Sequence, residues 1–153
     1  MPRRLLPLVF ALACACACAC ADSSPVATPA VLADGVYEVL AVERDRAALP
    51  EPDSDTRVLI HDRKYLRGGA DEPPDYLLLR VPGYAPLDLA RPPTQGMTEG
   101  RPVLLLALEE DAGKALTELT SRAERAAVVV GGDVVTVHRI RVPIEGGHLQ
   151  ISC

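Results

Sequence analysis

The sequence predicts one small α+β domain, with a single helix packed on a mainly antiparallel sheet, and three observations carry that expectation. Short β-forming runs recur between clusters of Gly and Pro. One segment alone spaces its apolar residues by three and four. Tightly connected strands follow it, giving a β-α-β-β-β order in the C-terminal part, which calls for a helix layered on one sheet face. With no Trp and one Phe, the core has to be filled by Val, Leu, Ile and Ala.

Taken in order, the first strand begins near Gly35, where Val36, Tyr37, Val39, Leu40 and Val42 are β-formers. Leu49 to Asp55 is turn material, and Val58 to Ile60 is a short second strand. Arg67 to Asp75 combines two Gly with two Pro among acidic residues and reads as a surface loop. Tyr76 to Val81 is an apolar run of strand length, stopped by Pro82 and Gly83. Ala85 to Gly100, punctuated by Pro86, Pro92, Pro93 and Gly96, reads as an irregular crossing segment.

Val103 to Leu108 is a continuous aliphatic strand, after which Glu109, Glu110 and Asp111 place negative charge where a helix dipole favours it. Ala112, Ala115, Leu116, Leu119 and Ala123 then lie on one helical face. Ala127 to Val130 and Val134 to Ile140 form a hairpin about Gly131, Gly132 and Asp133, a turn able to supply positive φ. Pro143 and the Gly146–Gly147 pair lead to a last strand from Leu149 to Ser152.

The N-terminus has a different character. Arg3 and Arg4 precede an apolar run from Leu5 to Ala13, and Ala/Cys repeats reach Ala21, the layout of a secretory signal over residues 1–21. Residues 22–34, rich in Ser, Pro, Ala and Thr, read as a flexible tether, leaving 35–153 as the domain. Two processing routes are open. A small residue precedes Cys16 and Cys14, either of which suits lipidation, and Ala19-Cys20-Ala21 also suits cleavage that releases a chain starting at Asp22. No later run is long enough to span a membrane, so a lipid anchor is the expected membrane attachment. The alternating cysteines read as a codon repeat inside the signal rather than a thiolate cluster for a soft metal. Cys153 has no certain partner and reads as a free or intermolecular thiol.

A net charge of -5, about -7 once Arg3 and Arg4 are removed, argues against nucleic acid as a partner. His61, His138 and His148 show no ligand spacing, so no metal is expected. Ser121 and Ser152 lie outside any nucleophile-elbow pattern, and Gly131–Gly132 and Gly146–Gly147 suit hairpin turns better than phosphate loops. No catalytic residue and no cofactor are expected.

Asp111 to Thr120 (DAGKALTELT), Ala127 to Val130 (AVVV), Gly132, Val134–Val135 and Pro143 to Ser152 (PIEGGHLQIS) together resemble the periplasmic head of SecD, the accessory subunit of the bacterial Sec translocase. That family runs as a helix ending in Leu-Thr, an AIVLDG-type hairpin and a PI-x-GG-x-x-QI-S-G ending, spaced without a gap from Ala127 to Cys153. The family positions carried over are Leu119, Thr120, Gly132, Pro143, Gly146, Gly147 and Gln150. Gly131, His138 and Cys153 stand where the family tends to show Asp, Pro and Gly. The resemblance implies a head-like fold from Gly35 to Cys153, contact with a translocating polypeptide outside the membrane, and no enzyme activity. SecD's transmembrane helices and the base beneath its head have no counterpart in this sequence, so translocase activity is not carried over.

The expectation is therefore a non-enzymatic, exported, lipid-anchored envelope protein that binds protein or peptide. The alternative is a small exported enzyme or ligand-binding domain with a pocket built around His61 and the Arg67 to Asp75 loop. A purely structural envelope module, lacking any partner, is a third reading.

Overall fold

The computed structural model describes residues 31–62 and 73–152, with the side chain of Ser152 not included. The signal, Cys14, Cys16, most of the tether, most of the Arg67 to Asp75 loop and Cys153 lie outside these residues.

Among the described residues the chain forms nine strands and one α-helix. The strands are β1 (Gly35–Glu43), β2 (Thr56–His61), β3 (Asp75–Arg80), β4 (Ala85–Pro86), β5 (Thr94–Thr98), β6 (Arg101–Ala107), β7 (Arg125–Val130), β8 (Asp133–Arg139) and β9 (His148–Ser152), and the helix α1 is Glu110–Arg122. The main sheet runs β2-β3-β1-β7-β8, with β4 against the start of β1, and β5-β6-β9 makes a second sheet. Every pairing is antiparallel. The expected fold class holds.

β1 meets its neighbours in halves. Gly35 to Glu38 pair with β7, and Val39 to Glu43 pair with β3. Register shifts at Val39/Ala41 and at Val128/Val129 add local twist on both sides of this stagger. The sheet curls until its two end strands, β2 and β8, come into contact. Side chains alternate along each strand, so Tyr37, Val39, Leu77, Leu79, Ala127, Val129 and Val134 fill the inside of the curl. Val36, Ala126 and Val128 point the other way, onto α1.

Ala112, Leu116, Leu119 and Ala123 form the buried stripe of α1 and its C-cap, joined by Leu106, Leu108, Leu149 and Ile151 from the second sheet. Each fully buried leucine contributes about 1.5–3 kcal/mol relative to exposure, which is why this face rather than helix propensity holds α1 in place. Glu110 and Asp111 stand in its first turn and Arg122 in its last, as the dipole favours.

One end of the curl is closed. Tyr84 stacks on Tyr37 with ring centroids 4.8 Å apart and planes 5° from parallel, and Leu32 packs against the same cluster. The incoming chain is held there, because Tyr37 donates its hydroxyl to the Ala33 carbonyl (2.8 Å) and Gly131 N–H donates to Asp34 Oδ1 (2.7 Å). Burial, with Tyr84 and Asp34 adding to it, pushes the Tyr37 phenol up to about 12 from its ordinary 10.0. The neutral phenol is the form the fold favours, so its contribution to stability is complete below pH 10 and is lost as pH rises through 10 toward 12. Ultraviolet titration of the phenols is expected to show one tyrosine ionising together with alkaline unfolding, and Tyr37→Phe removes that component.

Two assignments need correction. Ala85 to Gly100 is not irregular, since β5 pairs with β6 from Thr94–Leu105 to Thr98–Arg101 through a turn in which Glu99 (φ 52°) and Gly100 (φ 76°) are both left-handed. Its sequence, TQGMT, is largely exposed and lacks alternation, so the backbone ladder alone makes it a strand. Asp75, assigned to the preceding loop, is the buried first residue of β3, opposite His61.

Candidate functional site

Of the positions carried over from the SecD resemblance, Leu119, Thr120, Pro143, Gly146 and Gly147 fall along one seam between α1 and the lead-in to β9. Thr120 is buried in α1, donates its hydroxyl to Leu116 O (2.7 Å) and accepts from Ile144 N–H (2.9 Å). Thr117, one turn earlier, donates to Ile144 O (2.8 Å). The two threonines thus satisfy both backbone groups of Ile144, in the segment that Pro143 opens. Leu119 sits in the core beneath. Gly146 and Gly147 carry φ of 71° and 66°, and Gly147 lies so close to Gly113 of α1 that a Cβ on Gly113 would stand 3.0 Å from the Gly147 Cα. Gly132 supplies the left-handed turn between β7 and β8 (φ 86°), and Gln150 is exposed on β9, opposite Leu105. These residues shape backbone rather than chemistry. Thr120→Val is expected to cost about 1–3 kcal/mol, because it leaves the Ile144 amide without an acceptor; faster hydrogen exchange at Ile144 is the measurement.

The segment held in this way forms the rim of a groove of about 390 Å³ between the β7–β8 hairpin and β9. Its floor is apolar, made by Val36, Ala126, Val128 and Leu149, all core residues. Val142 on the rim is 72% exposed, an unusual position for a large aliphatic side chain that has an apolar trough beside it. His138 also lines the groove; burial lowers its pKa, favouring the neutral ring, and Thr136 Oγ1 lies 3.3 Å from Nε2. The groove was not legible in the sequence. Its walls come from β1, β7, β8 and β9, and only the sheet register brings them together.

A second recess, of about 570 Å³, opens at the end of the curl opposite Tyr84 and is lined by His61, Asp75, Leu77, Val42, Val137, Glu43 and the arginines Arg44, Arg125 and Arg139. The pocket near His61 is therefore present. None of these lining residues carries a hydroxyl or a thiol, and among the described residues no three His, Cys, Asp or Glu converge as a metal site would need. What its described lining offers is guanidinium charge over an apolar floor, which suits binding an anion.

No family model matches the chain. A curated relative, the protein translocase subunit SecD of Acidaminococcus fermentans, is 38% identical over 55 residues, 35% of this chain and 13% of that protein. A solved structure of SecDF, a membrane component that enhances protein export, matches 78% of this chain and 56% of that one at 22% identity and a TM-score of 0.46. The chain thus carries a domain similar to the SecD head, and it spans only a small part of the length of that relative.

Proposed function

We propose that this chain is an exported, non-enzymatic envelope protein, anchored by lipid at Cys16 or Cys14, whose domain binds polypeptide in the groove between the β7–β8 hairpin and β9. The observation that carries this reading is the apolar trough itself, floored by core residues and flanked by exposed Val142. Similarity to a protein translocase subunit supports a polypeptide as the occupant. Among the described residues no helix is long and apolar enough to cross a membrane, and attachment through a lipid suits the Ala-Cys steps of the N-terminus.

A photo-crosslinker at position 142 in the native envelope is the test. It is expected to trap a polypeptide that a crosslinker at Glu118, on the exposed face of α1, does not. Equal or absent trapping overturns the reading. Intact-mass spectrometry tests the anchor separately, where a lipid-bearing Cys16 or Cys14 is the expected result and an unmodified start at Asp22 the contrary one. The recess at His61 supports a second reading, an exported ligand-binding domain, and a small molecule bound there without any polypeptide partner would favour it.

A further inference from the structure

Three arginines converge on the open end of the curl. Arg44 follows β1, Arg125 opens β7 and Arg139 closes β8, over a floor of Val42, Leu77 and Val137. Arg125 and Arg139 stand directly opposite each other in the β7–β8 ladder. Just beyond them Ile140 N–H donates to Glu124 O at 2.8 Å, and since bonded and non-bonded pairs alternate, the arginines occupy a non-bonded pair, whose Cα atoms approach to about 4.5 Å. Like charges directly opposite are unfavourable without a counterion. Among the described residues none of the three forms an ion pair, whereas Arg46, Arg80 and Arg122 do. Among the described lining residues, counting Glu43 and Asp75, arginines outnumber carboxylates by one, in a chain of net charge -5. Arg139 borders the apolar groove as well as this recess, so the two cavities lie on either side of the end of β8.

We infer that the open end is a carboxylate-binding site that receives an acidic group of the polypeptide held in the groove. Arg125 and Arg139 present planar donor forks to the carboxylate, the geometry that guanidinium groups match best, and Arg44 adds charge from the bend after β1. Val42, Leu77 and Val137 accept the aliphatic side chain next to it. This inference rests on the proposed polypeptide-binding reading and adds the chemistry that is recognised. The carboxylate can come from a chain terminus or from a Glu side chain, and the test separates these sources.

The full chain, isotopically labelled, is titrated with a hexapeptide ending in leucine as its free acid, the same peptide amidated, an amidated version carrying one Glu, and inorganic phosphate. At least one carboxylate-bearing peptide is expected to shift the Arg125 and Arg139 amides and to bind at least tenfold more tightly than the neutral amide; whichever is tighter names the source. Arg125→Glu, which sets opposite charges across the ladder, is expected to raise the melting temperature by about 2 °C or more while removing the tenfold preference, so that the loss cannot be misfolding. Arg139→Gln is expected to remove the preference as well. Equal binding of acid and amide peptides, phosphate bound as tightly as the peptides, or an unchanged preference in Arg125→Glu overturns the site. Crosslinks from position 142 that persist in Arg125→Glu, with no carboxylate preference in the parent protein, leave the polypeptide-binding reading standing and remove only this inference.

Discussion

Replacing Gly147 by valine is expected to destabilise the domain by about 3–4 kcal/mol, read as a fall in the urea midpoint with an unchanged slope. Two physical terms act at this position. Its φ of 66° is left-handed, which costs an L-residue about 1–2 kcal/mol, more for a β-branched one. A Cβ there would also stand 3.3 Å from the Gly113 Cα and 3.4 Å from the Leu108 carbonyl oxygen, so the added methyls press on backbone that cannot rotate away. Overpacking of that kind costs about 1–3 kcal/mol. Gly146→Ala is the control. Its φ is 71°, but its Cβ would meet only His148 Cδ2, at 3.8 Å, so strain alone remains and the loss is expected at about 1 kcal/mol. If both variants lose the same amount, the close approach of β9's lead-in to α1 is not what holds this seam. Because a domain of this size is stable by only about 5–15 kcal/mol, the valine variant is expected to be poorly populated under mild denaturing conditions, and the groove rim is expected to loosen before the rest unfolds.

Tyr37→Ala is expected to cost about 3–5 kcal/mol, the range for removing a buried aromatic ring. The side chain is 1% exposed, fills the closed end of the curl and carries the stack with Tyr84. Tyr37→Phe keeps ring and stack and loses only the hydroxyl bond to Ala33 O, so about 1 kcal/mol is expected. The difference between the two, measured by thermal and urea unfolding, separates packing from the anchoring of residues 31–34. Hydrogen exchange adds a local readout, since the phenylalanine variant is expected to expose the Gly131 amide, which Asp34 holds only while the incoming chain stays in place. Similar losses in both variants would make the hydroxyl, not the ring, the main contributor.

Much of this architecture was readable along the chain because its causes are local. α1 followed from the spacing of Ala112, Leu116 and Leu119 and from the acids ahead of them, and the β7–β8 hairpin from two glycines between aliphatic runs, both of which do adopt positive φ. The SecD resemblance was legible for the same reason, its motifs being short and ordered in sequence. β5 was not legible, because an exposed edge strand such as TQGMT needs only a partner's backbone and shows no hydrophobic period. The second sheet was missed too, since nothing between Val103 and Ser152 announces that β9 lies against β6 rather than extending the hairpin. The sequence suggests a pocket around His61 and the Arg67 to Asp75 loop, but only the structure sets His61 opposite Asp75 in the β2–β3 ladder, beside arginines that lie far apart in the chain.

By itself the sequence determined the α+β class, the helix α1, the tight turns and the resemblance of the C-terminal segment to the SecD head, because propensity, periodicity and turn chemistry act over a few residues. Only the tertiary structure decided that the sheet curls, that a groove lies between β8 and β9, and that Arg125 faces Arg139 at the open end of the curl. Those features depend on register and bulges between strands far apart in the chain, where one residue of slip would turn every side chain to the other face.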